Sequence, residues 1–193
     1  DKKGFVSVDE TPFWATNTAG NWSVSGWVKF TAFGDNGGYV VYKAATSYAH
    51  PSFFMRGDGP RDASFAGSIK DGSDSCGAGR WSATSTARIQ LGKWYYLVGV
   101  YNGTHSTLFI NGKLNATIAY SSGLANCTGH AYAKSLPFSM GCNYFNTNTC
   151  GVGGVTQSEF TADEVRIYNR SLSDAEINAT WSARFEAEAY VPP

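Results

Sequence analysis

Charged side chains are scarce in this sequence, and neither sign is in excess. They make up 16% of the 193 residues, and 15 Lys and Arg balance 15 Asp and Glu, so the formal net charge is zero. Nucleic-acid-binding domains usually carry a basic patch or stripe, and the sequence shows none. The composition therefore argues against a nucleic-acid partner and favours a polar surface built from Ser, Thr, Asn and Gly.

The sequence also lacks long hydrophobic runs and the motifs of common enzyme classes. No apolar run approaches the roughly 20 residues that cross a bilayer, so no membrane span is expected. No Gly-x-Ser-x-Gly, phosphate-loop or His-Glu-x-x-His motif is present. Hydrophobic residues still reach 42% and aromatics 15%, which excludes a disordered chain. This length predicts one folded domain over residues 1–193.

Cysteines are few and match no zinc-binding spacing, because no Cys-x-x-Cys pair and no neighbouring histidine pair occurs. We interpret Cys76, Cys127, Cys142 and Cys150 as two disulfides. Three pairings are open. We favour Cys142 with Cys150, since the stretch between them is short and rich in turn residues, which leaves Cys76 with Cys127. Disulfides indicate an oxidising, extracellular environment.

Asn-x-Ser/Thr sequons are frequent and point to the same environment. N-glycosylation at such sites occurs on the surface of secreted proteins. Turns and helix caps also favour Asn, Ser and Thr, so part of the excess has a structural explanation. The six predicted glycosylation sites are Asn21, Asn102, Asn115, Asn126, Asn169 and Asn178.

Short alternating runs separated by turn residues dominate the chain. Residues 22–30 place Trp22, Val24 and Val28 on one face of a strand. The run 94–101 is almost continuously apolar, which predicts a strand covered on both faces. Asn-Gly pairs at 102–103 and 111–112 predict hairpin turns. Such a series of short strands predicts a sandwich or barrel, and Trp22, Trp27 and Trp94 are expected in its core.

The C-terminal region carries one helix signal and one strand-like tail. Ser173 and Glu176 form a capping box, which predicts a short helix from Asp174 to Trp181. Residues 184–193 alternate between apolar and polar side chains, which predicts a strand. That strand would close the domain's own sheet or add to the sheet of a second copy and so assemble a filament.

Four stretches together resemble a known family, in the expected order along the chain. The sequence resembles laminin-G-like jelly rolls, the concanavalin-A-like lectin and glucanase architecture. The resemblance implies an all-β fold in which two antiparallel sheets form a jelly-roll β-sandwich, with one short C-terminal helix. The family usually has one further strand before residue 5, and residues 47–89 here are longer and richer in turns than usual. The stretches are residues 5–8, 22–29, 94–114 and 163–177.

Enzymes of this architecture are glycosidases or polysaccharide lyases, and the sequence favours neither. A glycosidase needs two carboxylates facing each other across a groove. Asp163 and Glu164 are adjacent, so on a regular strand they would point to opposite faces, and the family treats the pair as structural. We expect no catalytic residue and interpret the protein as noncatalytic.

Exposed aromatics and loop carboxylates are the candidate binding residues. Trp81, in a polar stretch beside Cys76, is the first candidate for stacking on a sugar ring, although it could also anchor its loop on the core. Asn143, Tyr144, Tyr48 and His50 accompany it. The resemblance implies a Ca²⁺ at a loop rim, with Asp35, Asp58 and Asp62 as candidate ligands. Asp beside Gly is also an ordinary turn former.

The sequence thus predicts an extracellular or cell-surface recognition and adhesion module that binds glycans or surface proteins. Two alternatives remain open. One is a structural subunit of a filament or surface coat assembled by exchange of the tail strand. The other is a polysaccharide hydrolase or lyase.

Overall fold

The computed structural model describes part of the chain, and for several strands it describes only the backbone. The described residues are 6–8, 21–33, 38–44, 51–58, 62–70, 76–85, 88–119, 138–141, 144–145, 149–150 and 158–189. Within them the chain forms antiparallel sheets and one helix, which confirms the predicted preponderance of strands.

Two large sheets contain most of the strands. The order in the six-stranded sheet is β1 (Val6–Val8), β10 (Phe138–Met140), β3 (Gly38–Ala44), β4 (Pro51–Asp58), β5 (Asp62–Lys70) and β6 (Cys76–Thr84). The order in the five-stranded sheet is β13 (Glu159–Tyr168), β2 (Trp22–Ala32), β7 (Trp94–Tyr101), β8 (His105–Ile110) and β9 (Lys113–Ala119). A two-stranded ladder joins β11 (Tyr144–Phe145) and β12 (Thr149–Cys150).

The region between residues 47 and 89 is more regular than its turn-rich sequence suggests. Strands β4, β5 and β6 form consecutive antiparallel pairs there. The sequence indicated turns in this region, whereas the structure forms three strands there. Gly, Ser and Ala are weak strand formers by themselves, and pairing along a sheet overrides such weak local preferences.

One hydrophobic cluster includes side chains from both large sheets. The five-stranded sheet contributes residues such as Val24, Val28 and Leu97, and the six-stranded sheet contributes Val40 and Ala83. All five have a relative exposure of 1% or less. The predicted inward face of β2 is confirmed, because period-two alternation places every second residue on the same side.

A second cluster lies on the other face of the five-stranded sheet, under helix α1 (Asp174–Ala189). Leu172 and Ile177 from the helical region pack there against sheet residues that include Trp27, Tyr96 and Val98. Strand β7 therefore buries alternate side chains on both of its faces, as its continuous apolar sequence predicted. The phenol of Tyr96 has its pKa raised, chiefly because burial disfavours the charged form.

The Asn111–Gly112 hairpin turn joins β8 to β9 and fixes the position of this sheet edge. Asn111 and Gly112 have φ values of 52° and 76°, the left-handed conformation that Asn-Gly pairs supply in tight hairpins. The side-chain Oδ1 of Asn111 accepts a hydrogen bond from the Tyr96 amide at 2.9 Å. The turn therefore ties β7 to the β8–β9 hairpin.

Helix α1 begins as the capping box predicts but extends further. Ser173 Oγ accepts from the Glu176 amide at 3.3 Å, and Glu176 Oε2 accepts from the Ser173 amide at 2.8 Å. The helix continues to Ala189, so the predicted end at Trp181 and the predicted strand over 184–193 were wrong for residues 184–189. Ala, Glu and Arg are strong helix formers, and an established helix extends readily through them. Residues 190–193 lie outside the described part.

Acid is expected to weaken this capping box. The pKa of Glu176 is lowered from 4.5 to about 2. The main cause is the hydrogen bond from Arg170, followed by the hydrogen bonds from Ser173. Because the pKa of Glu176 is lower in the folded state than in the unfolded state, its carboxylate stabilises the fold fully above pH 4.5. That stabilisation is lost as the pH falls towards about 2. We expect Glu176→Gln to reduce the loss of stability over that window, measured by urea unfolding at a series of pH values. Asp174→Asn, in the same helical turn, should keep the wild-type dependence of the free energy of unfolding on pH. An unchanged dependence in Glu176→Gln would contradict the role assigned to Glu176.

Candidate functional site

An exposed aromatic side chain lies at one end of the helix-covered face of the five-stranded sheet. Trp94 and Lys29 are register partners on β7 and β2. Trp94 lies on the same face as Tyr96 because strand side chains alternate, but its relative exposure is 37% whereas that of Tyr96 is 2%. The prediction that Trp94 belongs to the core was therefore wrong.

Two cations lie over the ring of this tryptophan, and a carboxylate binds one of them. Lys29 Nζ lies 5.2 Å from the centroid of the Trp94 ring. Arg184 of α1 has its Cζ 5.7 Å from the same ring and 4.9 Å from the buried Trp27 ring. Arg184 Nη1 also donates to Asp163 Oδ2 at 3.2 Å. We call Lys29, Trp94, Asp163 and Arg184 the Trp94 surface.

Asp163 reaches Arg184 from an irregular part of β13. The pairing of β13 with β2 shifts between Asp163 and Arg166, and Glu164 has a φ of 50°. The Glu164 amide donates to Asp163 Oδ1 at 2.8 Å, while the Glu164 side chain pairs with Arg166 at 3.2 Å. Each of the two adjacent carboxylates is thus bound to a different arginine, and the bulge replaces the regular alternation expected from the sequence.

The Trp94 surface combines the groups that recognition of a sugar requires. The indole of Trp94 is 37% exposed beside its two cation contacts, Lys29 and Arg184 carry N–H donors, and Asp163 carries acceptor oxygens. Arg184 contacts Trp27, Trp94 and Asp163, and these three contacts orient its guanidinium before a ligand binds. Bonds from Arg184 also anchor the helix on the sheet, which is a structural role beside any binding role.

The binding residues predicted from sequence lie elsewhere or outside the described part. Trp81 lies within β6 opposite Gly67, so the prediction of a loop position was wrong. Tyr144 lies on β11 opposite Cys150. Tyr48, His50 and Asn143 fall outside the described residues. The backbone therefore does not bring Trp81 and Trp94 onto one sheet, and the two are alternative candidates.

The candidate calcium ligands are only partly described. Asp58 and Asp62 are register partners at the end of the β4–β5 hairpin, so two carboxylate-bearing residues face each other across one rung. Asp35 lies outside the described residues. The described residues contain no group of three or more His, Cys, Asp or Glu side chains arranged to hold a metal. The calcium site remains a prediction.

The predicted disulfides also remain predictions. Cys150 on β12 pairs across the ladder with Tyr144, two residues after Cys142, and Cys76 begins β6. Cys127 and Cys142 lie outside the described residues. Among the sequons, the side chains of Asn21, Asn102, Asn169 and Asn178 are exposed and Asn115 is half-buried, whereas Asn126 is outside the described part.

Sequence reasoning missed three members of the Trp94 surface: Lys29, Trp94 and Arg184. A signal existed for Trp94, because it is the first residue of its strand and follows Leu91-Gly92-Lys93, a polar turn. No local signal existed for Arg184, since its contact with the sheet depends on the path of the helix.

A family model described as the concanavalin A-like lectin/glucanases superfamily, of the laminin G type, matches residues 2–178. The chain belongs to this family. No curated protein matches it significantly. Within the described residues, no helix of this laminin-G-like chain is long and apolar enough to cross a membrane.

Solved structures share the fold of this laminin-G-like domain at low sequence identity. Botulinum neurotoxin type C is 15% identical with a TM-score of 0.60, over 93% of this chain and 40% of the neurotoxin chain. Trypanosoma rangeli sialidase is 16% identical with a TM-score of 0.56, over 86% of this chain and 23% of the sialidase chain. A heptameric SAP-like pentraxin from Limulus polyphemus is 16% identical with a TM-score of 0.55, over 83% of this chain and 69% of that chain.

Proposed function

We propose that this laminin-G-like domain is a noncatalytic, extracellular or cell-surface recognition module that binds glycans through the Trp94 surface. The observation that carries the proposal is the 37% exposed side chain of Trp94, in contact with Lys29 and with Arg184, which Asp163 binds in turn. A large indole left partly exposed among fixed polar groups is suited to hold a ligand with one apolar face and several hydroxyls.

The family supports the proposal at the level of the fold. A two-sheet sandwich is the architecture that the family implies, and the shared cluster between the sheets is consistent with it. The cell entry of botulinum neurotoxin type C, one of the structural neighbours, depends on interaction with two ganglioside molecules. That property belongs to the neurotoxin, and here it supports only the choice of glycans as the first ligands to test.

A noncatalytic role fits the state of the adjacent acids. The carboxylates of Asp163 and Glu164 are bound to Arg184 and Arg166. A retaining or inverting pair would instead face each other across a groove with room for the sugar. Both acids are therefore used to hold the bulge and the helix, which favours binding over hydrolysis.

The filament alternative requires a strand at the C-terminal end of the chain, and the structure has a helix over most of that segment. It required residues 184–193 to form a donated strand, and residues 184–189 are helical. No described contact favours assembly over glycan recognition.

The test is a glycan-array screen of the purified domain, followed by calorimetric titration of the best ligand. We expect Trp94→Ala to weaken binding by about tenfold or more, since one well-placed aromatic or cation–π contact is worth about 1–2 kcal/mol. Trp94→Phe should retain most of the affinity because it keeps an aromatic face. Leu114→Ala, which truncates another exposed apolar residue on β9, should leave the affinity unchanged.

Two further arms separate the alternatives. If Trp81→Ala or Tyr144→Ala removes binding and Trp94→Ala does not, the ligand binds at the residues predicted from sequence, and the Trp94 surface is structural. If chelation removes binding, the predicted calcium site at Asp35, Asp58 and Asp62 participates. A domain that binds no glycan on the array would contradict the proposal.

A further inference from the structure

Three sequons that are distant in the sequence meet at one end of the five-stranded sheet. Trp22 pairs with Tyr101, and Ser23 pairs with Tyr168. Asn21 directly precedes Trp22, Asn102 directly follows Tyr101 and Asn169 directly follows Tyr168. The three asparagines therefore end three adjacent strands, which are spaced about 4.8 Å apart. All three are exposed.

The side chain of Asn21 also approaches the neighbouring turn. Its Oδ1 lies 3.3 Å from the position that a Cβ on Gly103 would occupy, and Gly103 is the central residue of the Asn102-Gly103-Thr104 sequon. The register and this contact agree that Asn21 and Asn102 are neighbours on one surface.

The sequon hydroxyls have structural roles that explain their presence. Ser23 Oγ donates to the Arg170 carbonyl and accepts from the Leu172 amide, both at 2.9 Å. Ser171 Oγ donates to the Tyr101 carbonyl at 3.0 Å. These hydroxyls join the ends of the three strands, so Ser would be present at both positions without glycosylation.

Two of the three asparagines have no such structural explanation among the described contacts. Neither Asn21 nor Asn169 makes a side-chain hydrogen bond to another described residue, so no described contact requires asparagine at either position. Asn102 accepts at Oδ1 from the Thr104 and His105 amides at 3.0 and 2.8 Å. These bonds use the oxygen and leave the amide nitrogen, the atom that carries an N-linked glycan, directed away from them.

We propose that Asn21, Asn102 and Asn169 carry N-linked glycans that together cover this end of the sheet. We call these three residues the sequon cap. A glycan is bulky and strongly hydrated, and three of them on adjacent strands would exclude a protein partner from that end. The inference rests on the extracellular or cell-surface location in the proposed function, and it does not depend on glycan binding at the Trp94 surface.

The sequon cap and the Trp94 surface lie at opposite ends of the same strands. Lys29 pairs with Trp94 and Trp22 pairs with Tyr101, so seven residues, or about 23 Å, separate the two ends along β2. Glycans on the cap would therefore leave Trp94 accessible.

The decisive experiment is site-resolved mass spectrometry of the protein secreted from a host that performs N-glycosylation. Enzymatic release converts each glycosylated asparagine to aspartate, and release in heavy-oxygen water marks the converted positions. We expect glycan occupancy above about one half at all three cap positions, because all three asparagines are exposed. Occupancy below that level at any of the three would overturn the proposal. Glycosylation of Asn178, which is exposed on α1, is the internal control that the host glycosylates this chain.

The covering effect has its own measurement. Hydroxyl-radical footprinting would compare the glycosylated protein with the same protein after glycan release. His105 is exposed beside Asn102, and we expect its labelling to rise at least about twofold on release, because the bulky glycans shield it. Trp94 labelling should stay constant. An equal rise at both residues, or none at His105, would show that the glycans do not cover this end.

Discussion

Ile177→Ala is expected to lower the free energy of unfolding by about 2–5 kcal/mol, the usual cost of truncating a fully buried isoleucine. Ile177 has a relative exposure of 0% and lies between α1 and the sheet, in the cluster that contains Trp27 and Tyr96. The truncation leaves a cavity under the helix, because the rigid sheet below it cannot collapse to fill the space.

Chemical denaturation of the purified domain measures this effect. For a domain of this size the melting temperature should fall by about 2–4 °C per kcal/mol. Ala179→Ser, on the exposed side of the same helix, is the matched control and should change stability by less than about 1 kcal/mol. A small loss for Ile177→Ala, similar to that of the control, would mean that the helix is not held by this cluster.

Ser23→Ala is expected to cost about 2–4 kcal/mol, although it removes only one oxygen. Ser23 is completely buried, and its hydroxyl satisfies the Arg170 carbonyl and the Leu172 amide at the start of the helical region. Without the hydroxyl the buried Leu172 amide and the part-buried Arg170 carbonyl both lose their partner, and an unsatisfied buried group costs about 1–3 kcal/mol.

The matched control is Ser25→Ala, two residues further along the same face of β2. Ser25 is equally buried, at 1% exposure, but its hydroxyl faces the phenol of Tyr96 and satisfies no described backbone group. We expect Ser25→Ala to cost less than Ser23→Ala, because it leaves no backbone group without its partner. Both variants should be made in a host without N-glycosylation, so that loss of the Asn21 sequon plays no part. Equal effects of the two substitutions would refute the role assigned to the Ser23 hydroxyl.

The features predicted correctly from sequence depend on neighbouring residues. The period-two alternation at Trp22, Val24 and Val28 reports the inward face of β2 because strand geometry alone sets it. The Asn111–Gly112 turn and the Ser173–Glu176 capping box are likewise defined within four residues, and both are confirmed. The family resemblance, which rests on such local stretches, is confirmed by the match over residues 2–178.

The errors occurred where distant parts of the chain determine the outcome. The alternation over residues 184–191 resembles a strand, but the helix that starts at Asp174 continues through this segment to Ala189. Trp81 looked like a loop residue because Gly and Ser surround it, yet it pairs within β6. A local sequence pattern does not show when pairing with a neighbouring strand, or continuation of a preceding helix, stabilises a segment in a different conformation.

The sequence by itself determined the antiparallel all-β character, the family, the capping box and the hairpin turns, because each depends on side-chain periodicity or on a few adjacent residues. Only the tertiary structure decided which tryptophan is exposed and which sequons are neighbours. Arg184 reaches Trp94 because α1 crosses the sheet, and Asn21, Asn102 and Asn169 meet because antiparallel register aligns three strand ends. Both arrangements join residues far apart in the chain, and their physical cause is packing between elements.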